Sequence, residues 1–155
     1  MKKLTLLGCA LLALGALSFT GCGKDSDTAE TIPTTLEELS YGDFTEQSDD
    51  NTAYVLRSNS EYFKYIHSGV QPDVAIPYDG YAIIVARGRT LSGITKTEAE
   101  LLKKDGKYIL KVDVYGNLAC VIDKWCVTMR VDDFPKDAKV ELKLTTHGTK
   151  SYYGE

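Results

Sequence analysis

Four cysteines and two histidines are the groups in this 155-residue chain best suited to chemistry beyond simple acid–base exchange. Cys120 and Cys126 stand close enough to close a short loop, and in an oxidising compartment that spacing predicts a disulfide. Such a bond would contribute somewhat less than the roughly 3 kcal/mol of a 15-residue loop and would staple the connection entering the strand at Trp125. The alternative is two free, buried thiols that behave as small hydrophobes. A redox pair would need Cys-X-X-Cys, which is absent. A zinc site would have to borrow His67 and His147 at no recognised spacing, so neither a metal nor a cofactor is expected. His67 falls where a helix should end, a place the helix dipole favours for a histidine. A small hydrolase would use His67 or His147 with a Ser or Asp partner. Neither histidine lies in a nucleophile motif, so an enzyme is not expected.

Cys22 has a different context. Lys2 and Lys3 precede a sixteen-residue uncharged apolar run from Leu4 to Phe19, and Thr20-Gly21 lead into the cysteine. A bilayer span needs about 20 residues, and a short run with a basic start is how a secretory signal is built. Residues 1–21 are therefore read as a lipoprotein signal peptide and Cys22 as the lipidated first residue of the mature chain. Each buried methylene of an acyl chain such as palmitate adds about 0.8 kcal/mol, so several chains make a permanent membrane anchor. Cys9 leaves with the signal. The expected location is the outer membrane, lipid-anchored, with the domain at the cell surface or on the periplasmic face.

Residues 23–51 carry nine acids against Lys24 alone. High charge with few large apolar groups does not offset ordering entropy, so residues 22–51 are expected to be an acidic flexible tether. Leu36, Leu39, Tyr41 and Phe44 could form a local packing patch that orders it after about residue 35. Lys24 and the acids after Cys22 resemble the export signal that sends lipoproteins to the surface of some Gram-negative anaerobes.

The remainder holds fifteen Lys and Arg against thirteen Asp and Glu. Near-neutrality gives no reason to expect a nucleic-acid binder. Residues 52–146 should form one β-rich globular domain and 147–155 a polar tail. Ala53–Arg57 reads as a strand, and Ser58 with Glu61 as a capping box opening a helix that Gly69 stops. Pro72 and Pro77 mark a loop. Tyr81–Ala86 reads as a central strand buried on both faces. Arg87–Gly93 is expected to be a polar turn or bulge, because no helix follows to make it an anion cradle.

Asp105-Gly106 suits a two-residue hairpin turn, pairing Leu101 with Leu110, Ala99 with Val112 and Thr97 with Val114 on one covered face. Trp125, Val127, Met129 and Val131 alternate inward, and Val140–Leu144 repeats that alternation. The fold class expected is α+β: a mainly antiparallel, sandwich-like sheet domain with one short helix.

The run Tyr54-Val55-Leu56-Arg57-Ser58, the capped helix, Tyr81–Val85, then Gly88 through Thr90-Leu91-Ser92-Gly93-Ile94 and the hairpin form a recognisable order. It resembles the C-terminal domain of the protease-complex subunit PrcB, and small lipoproteins of gut anaerobes with a similar domain, over residues 53–146. The resemblance implies a non-enzymatic protein that binds another protein or a protease. The expected function is thus a non-catalytic binding or accessory β domain on a lipid anchor, with a protein or glycan partner. Tyr78, Tyr81, Tyr152 and Tyr153 are candidate contact groups. A structural component of an outer-membrane assembly is the alternative.

Overall fold

Asp105 and Gly106 both adopt positive φ, 50° and 75°, the pairing that a two-residue turn between twisted strands requires. In a computed structural model, which describes residues 29–67, 69–70 and 80–148, this turn sets the register of half the fold. The signal stretch with Cys22, the Pro72–Pro77 loop with Tyr78, and Tyr152 and Tyr153 lie outside the described residues. In chain order the elements are β1 (Glu30–Ile32), β2 (Thr35–Leu36), β3 (Thr52–Leu56), α1 (Asn59–Tyr65), β4 (Tyr81–Thr90), β5 (Ile94–Lys104), β6 (Lys107–Gly116), β7 (Asp123–Asp132) and β8 (Val140–His147). Leu101 pairs with Leu110, Ala99 with Val112 and Thr97 with Val114, as the turn dictates. Leu101, Leu110, Val112 and Val114 are buried. On the other face Lys111 bridges to Glu100 at 2.8 Å.

Two four-stranded sheets face each other, one in the order β1-β5-β6-β8 and the other β2-β7-β4-β3. The inward residues of β4 and β7, among them Ala82, Ile84, Trp125, Val127, Met129 and Val131, pack on those of β5 and β6 to form the main core. The α+β sandwich-like class therefore describes the domain. Its pairing is antiparallel except between β6 and β8, which run parallel. The chain leaves β7 through Asp133–Lys139, crosses to the opposite sheet and there runs alongside β6 in the same direction.

The outer face of β4 is covered as well, by residues expected to be tether. β1 pairs with β5. Pro33, which has no N–H to donate, follows it, and the chain crosses to pair β2 with β7. A 3-10 turn at Tyr41–Asp43 and Phe44 then lie over β4 beside α1. Phe44, Leu56, Tyr62, Ile66, Tyr81, Ile83 and Val85 form a second core there. The expected tether, 22–51, is thus part of the fold from Glu30 onward. Three of the acids that suggested a solvated stalk, Asp43, Asp49 and Asp50, are held by partners within the fold. Asp50, whose side chain is 5% exposed, meets Arg89 at 2.9 Å and Arg87 at 3.3 Å, and accepts the Tyr41 hydroxyl proton at 2.7 Å. Arg87 also donates to the carbonyls of Phe44 and Ser48. Removing one partner of such a buried pair typically costs about 3–5 kcal/mol.

Arg87–Thr90 consequently belongs to β4 and is no turn; the chain reverses at Leu91–Gly93. Gly88 is required by close approach, since a Cβ there would stand 2.5 Å from the Trp125 ring and nearer still to Asn51. The helix starts as expected: Ser58 Oγ accepts from Glu61 N–H at 3.1 Å, and Glu61 accepts from Arg57 N–H at 2.6 Å. It ends at Tyr65, before Gly69. Ile66 turns extended to bridge Phe44, and His67 N–H donates to the Asp43 carbonyl at 2.8 Å. His67 therefore sits outside the helix.

Candidate binding surface

The two thiols are separate and both free, so the expected Cys120–Cys126 disulfide is corrected. Strand alternation gives the reason: Trp125 and Val127 point into the sandwich, which turns Cys126 outward beneath the 39–44 segment. Its thiol donates to the Leu39 carbonyl at 3.0 Å. Burial pushes this thiol up to about 11, with the nearby Asp43 charge adding to the effect. Cys120 lies exposed on the β6–β7 loop.

The histidines occupy opposite sides of the molecule. His67 is exposed in the layer outside β4, whereas His147 ends β8 on the far sheet. There its Nε2 lies 2.8 Å from Asp113 Oδ1, and its ring stacks on Tyr115 at 4.5 Å. The His147 hydrogen bond, helped by Lys111, holds the Asp113 carboxyl below its ordinary range despite partial burial. Glu100, and then Asp113, raise Lys111 in turn. The result is a cross-strand charge ladder. His147 is thus engaged with a carboxylate, and among the described residues no group of three or more His, Cys, Asp or Glu could hold a metal ion. Tyr81 is buried against the second core and offers no contact surface.

Leu36 on β2 and Phe63 on α1 are exposed singly, and the other exposed large apolar residues among those described gather elsewhere. Two loops, Leu91–Gly93 and Asn117–Ile122, meet at one end of the sandwich. Leu118 is 98% exposed, Ile122 56%, Val121 51% and Leu91 44%. Leu91, Ser92, Asn117, Leu118, Ala119, Cys120 and Gly148 line a shallow, open depression of about 410 Å³ between them. Apolar loop residues on this scale need a reason, because a monomer gains nothing by wetting them.

The loops are also held. Asn117 N–H donates to the Gly93 carbonyl at 2.8 Å, and Gly93 N–H to that of Ala119 at 3.2 Å. The Asn117 side chain accepts from Ala119 N–H at 2.8 Å. Asp123 receives Ile94 N–H at 2.8 Å, and the Thr90 hydroxyl donates to the Ser92 carbonyl at 2.7 Å. The patch is therefore presented by a preorganised frame, which lowers the ordering cost of binding.

Register fixes where this end lies. Glu30 pairs with Lys103 beside the hairpin turn, while the loops adjoin Ile94 at the other end of β5. At about 3.3 Å per residue the eleven-residue strand separates the two by roughly 33 Å. The chain arrives at one pole and presents its apolar loops at the other. The sequence offered one sign of this surface, an aliphatic cluster (Leu118, Val121, Ile122) between two turn formers, but it read only as a connection.

Comparison of the chain with protein-family models, with curated proteins and with solved structures finds no match. Among the described residues no helix is long and apolar enough to cross a membrane.

Proposed function

We propose that this is a lipid-anchored protein of the cell envelope whose β domain is a binding module, acting through the apolar pole rather than by catalysis. The observation that carries the reading is the exposure of Leu91, Leu118, Val121 and Ile122 on hydrogen-bonded loops at the pole opposite the chain's arrival. With acyl chains on Cys22 the arriving pole would face the membrane, leaving the loops directed away from it. The patch is aliphatic. It suits the apolar surface of a partner protein better than a sugar, which is more often met by aromatic rings. Cys126 is half-buried and bonded to the Leu39 carbonyl, and His147 is engaged with Asp113, which also favours binding over nucleophilic chemistry.

The test is site-specific photocrosslinking in cells expressing the full chain, with the probe at Leu118 or, as a control, at Glu141 on the opposite sheet. Discrete protein adducts from Leu118 and none from Glu141 are expected, in the membrane fraction. Cys22→Ala should move the chain out of that fraction. Adducts from neither position, or membrane retention that ignores Cys22, would overturn the respective half of the proposal.

A further inference from the structure

β5 is eleven residues long, but its outer neighbour β1 covers only Leu101–Lys103. Pro33 ends that cover, and among the described residues no strand pairs with the outer edge of β5 from Ile94 to Glu100. The other sides of the sandwich are closed differently. β2 and the Leu39 carbonyl lie along β7, and β3 packs against β8. Among the described residues the outer edge of β5 from Ile94 to Glu100 is therefore left open.

The hairpin decides which backbone groups face that edge. A two-residue turn makes Lys104 and Lys107 a hydrogen-bonded pair, and alternation then directs Leu102, Glu100, Glu98 and Lys96 toward β6. Leu101 and Lys103 point the other way and bond β1. By the same alternation Thr97 and Ala99 offer their N–H and C=O groups outward, a template for another strand. Proteins commonly guard such an edge with charge, and here the guard has a particular order. On the solvent face Lys96 and Glu98 stand two residues apart, exposed and in contact with one another.

We infer that this edge pairs with β5 of a second copy of the chain, antiparallel and centred on Thr97. In that register Lys96 of each copy stands opposite Glu98 of the other, and Thr97 opposite Thr97. Centring on Glu98 would oppose two Glu98 side chains, and centring on Ala99 would set Glu98 against Glu100. Only the Thr97 register turns both outer-face charges into attractive cross-strand pairs, and like charges directly opposite are destabilising. The two-fold axis makes the contact isologous and closed, so it stops at a dimer. The contact is made by the edge of β5 and not by Leu118, Val121 or Ile122, so this inference does not depend on the binding role proposed for the apolar pole.

The test uses the chain from Gly23 to Glu155, which keeps every described element, in sedimentation velocity over a concentration series. The wild type should show a reversible monomer–dimer equilibrium that weakens with salt. Lys96→Glu and Glu98→Lys, each alone, should weaken it by about tenfold or more, the equivalent of about 1.4 kcal/mol. The two variants mixed in equal amounts should pair with each other, because each then supplies the charge the other lacks. The exchanged double variant, Lys96→Glu with Glu98→Lys, should dimerise like the wild type. Amide exchange at Thr97 and Ala99 should slow as concentration rises. A wild type that stays monomeric overturns the inference, as does a dimer indifferent to Lys96→Glu but abolished by Leu118→Asp. So does protection of Thr97 and Ala99 that does not change with concentration, since the chain would then cover its own edge.

Discussion

A thiol reacts as thiolate, so the two cysteines of the domain differ by where strand alternation points them. Cys126, half-buried and pushed up to about 11, is almost wholly protonated at neutral pH, whereas Cys120 is exposed on its loop. Native chain starting at Gly23 should take up one maleimide at pH 7.5, at Cys120, and a second only after denaturation. Intact-mass measurement reads this directly, and rapid uptake of two labels, or of none, would contradict the arrangement. The sign for stability follows from the same shift. The folded state favours the protonated thiol, so this contribution is complete below the unfolded value near 8.5 and declines as pH rises toward 11. The spacing of Cys120 and Cys126 was legible in the sequence and suggested a bridge. The inward reading of Trp125 and Val127 already placed Cys126 on the opposite face, and that periodicity outweighs proximity along the chain. Asp50 was not legible in this way. Its partners Arg87 and Arg89 lie on β4, and only the tertiary path of residues 39–51 joins them.

At the level of elements, local chemistry proved sufficient where one residue pair dictates geometry. Asp105-Gly106 set the β5–β6 register, and Ser58 with Glu61 set the start of α1. Element ends were harder to read. α1 stops at Tyr65 because Ile66 is drawn into a bridge with Phe44, a contact no local signal announces. β4 runs on through Arg87-Gly88-Arg89 because the charges on its outer face find Asp50, and Gly88 gives the Trp125 ring room between the sheets. Gly88→Ala tests the last point. The added methyl would meet the indole at 2.5 Å, and overpacking of this kind costs about 1–3 kcal/mol. Urea denaturation followed by circular dichroism, a readout that does not need Trp125, the one tryptophan of the chain, should show a lower midpoint. Trp125→Phe added to Gly88→Ala should recover part of that loss, giving a non-additive pair. Strictly additive losses would mean that the two residues do not compete for space.

The whole molecule is a three-layer object, and its third layer is built from residues whose composition suggested a stalk. Charge counting treats each acid as solvated, and it misses that Asp50 is neutralised by arginines some forty positions later and that Asp43 accepts from the Ser40 backbone at 2.7 Å. A chain starting at Ala29 keeps every described element and should melt within a few degrees of one starting at Gly23. A chain starting at Thr52 loses β1, β2 and Phe44 and uncovers part of the second core formed by Leu56, Tyr62, Ile66, Tyr81, Ile83 and Val85. Burial of such side chains is worth about 1.5–3 kcal/mol each. Forfeiting even half of that over six residues approaches the whole margin of a domain, about 5–15 kcal/mol. The shorter chain should therefore show no cooperative transition by circular dichroism. Should it instead unfold cooperatively at the same temperature as the longer ones, the 30–51 layer would be dispensable and the tether would extend to Asn51. Loss of the transition leaves only the residues before Ala29 to separate Cys22 from the sandwich. The arriving pole would then sit near any membrane that holds Cys22, and the apolar loops would stand away from it by about the length of β5.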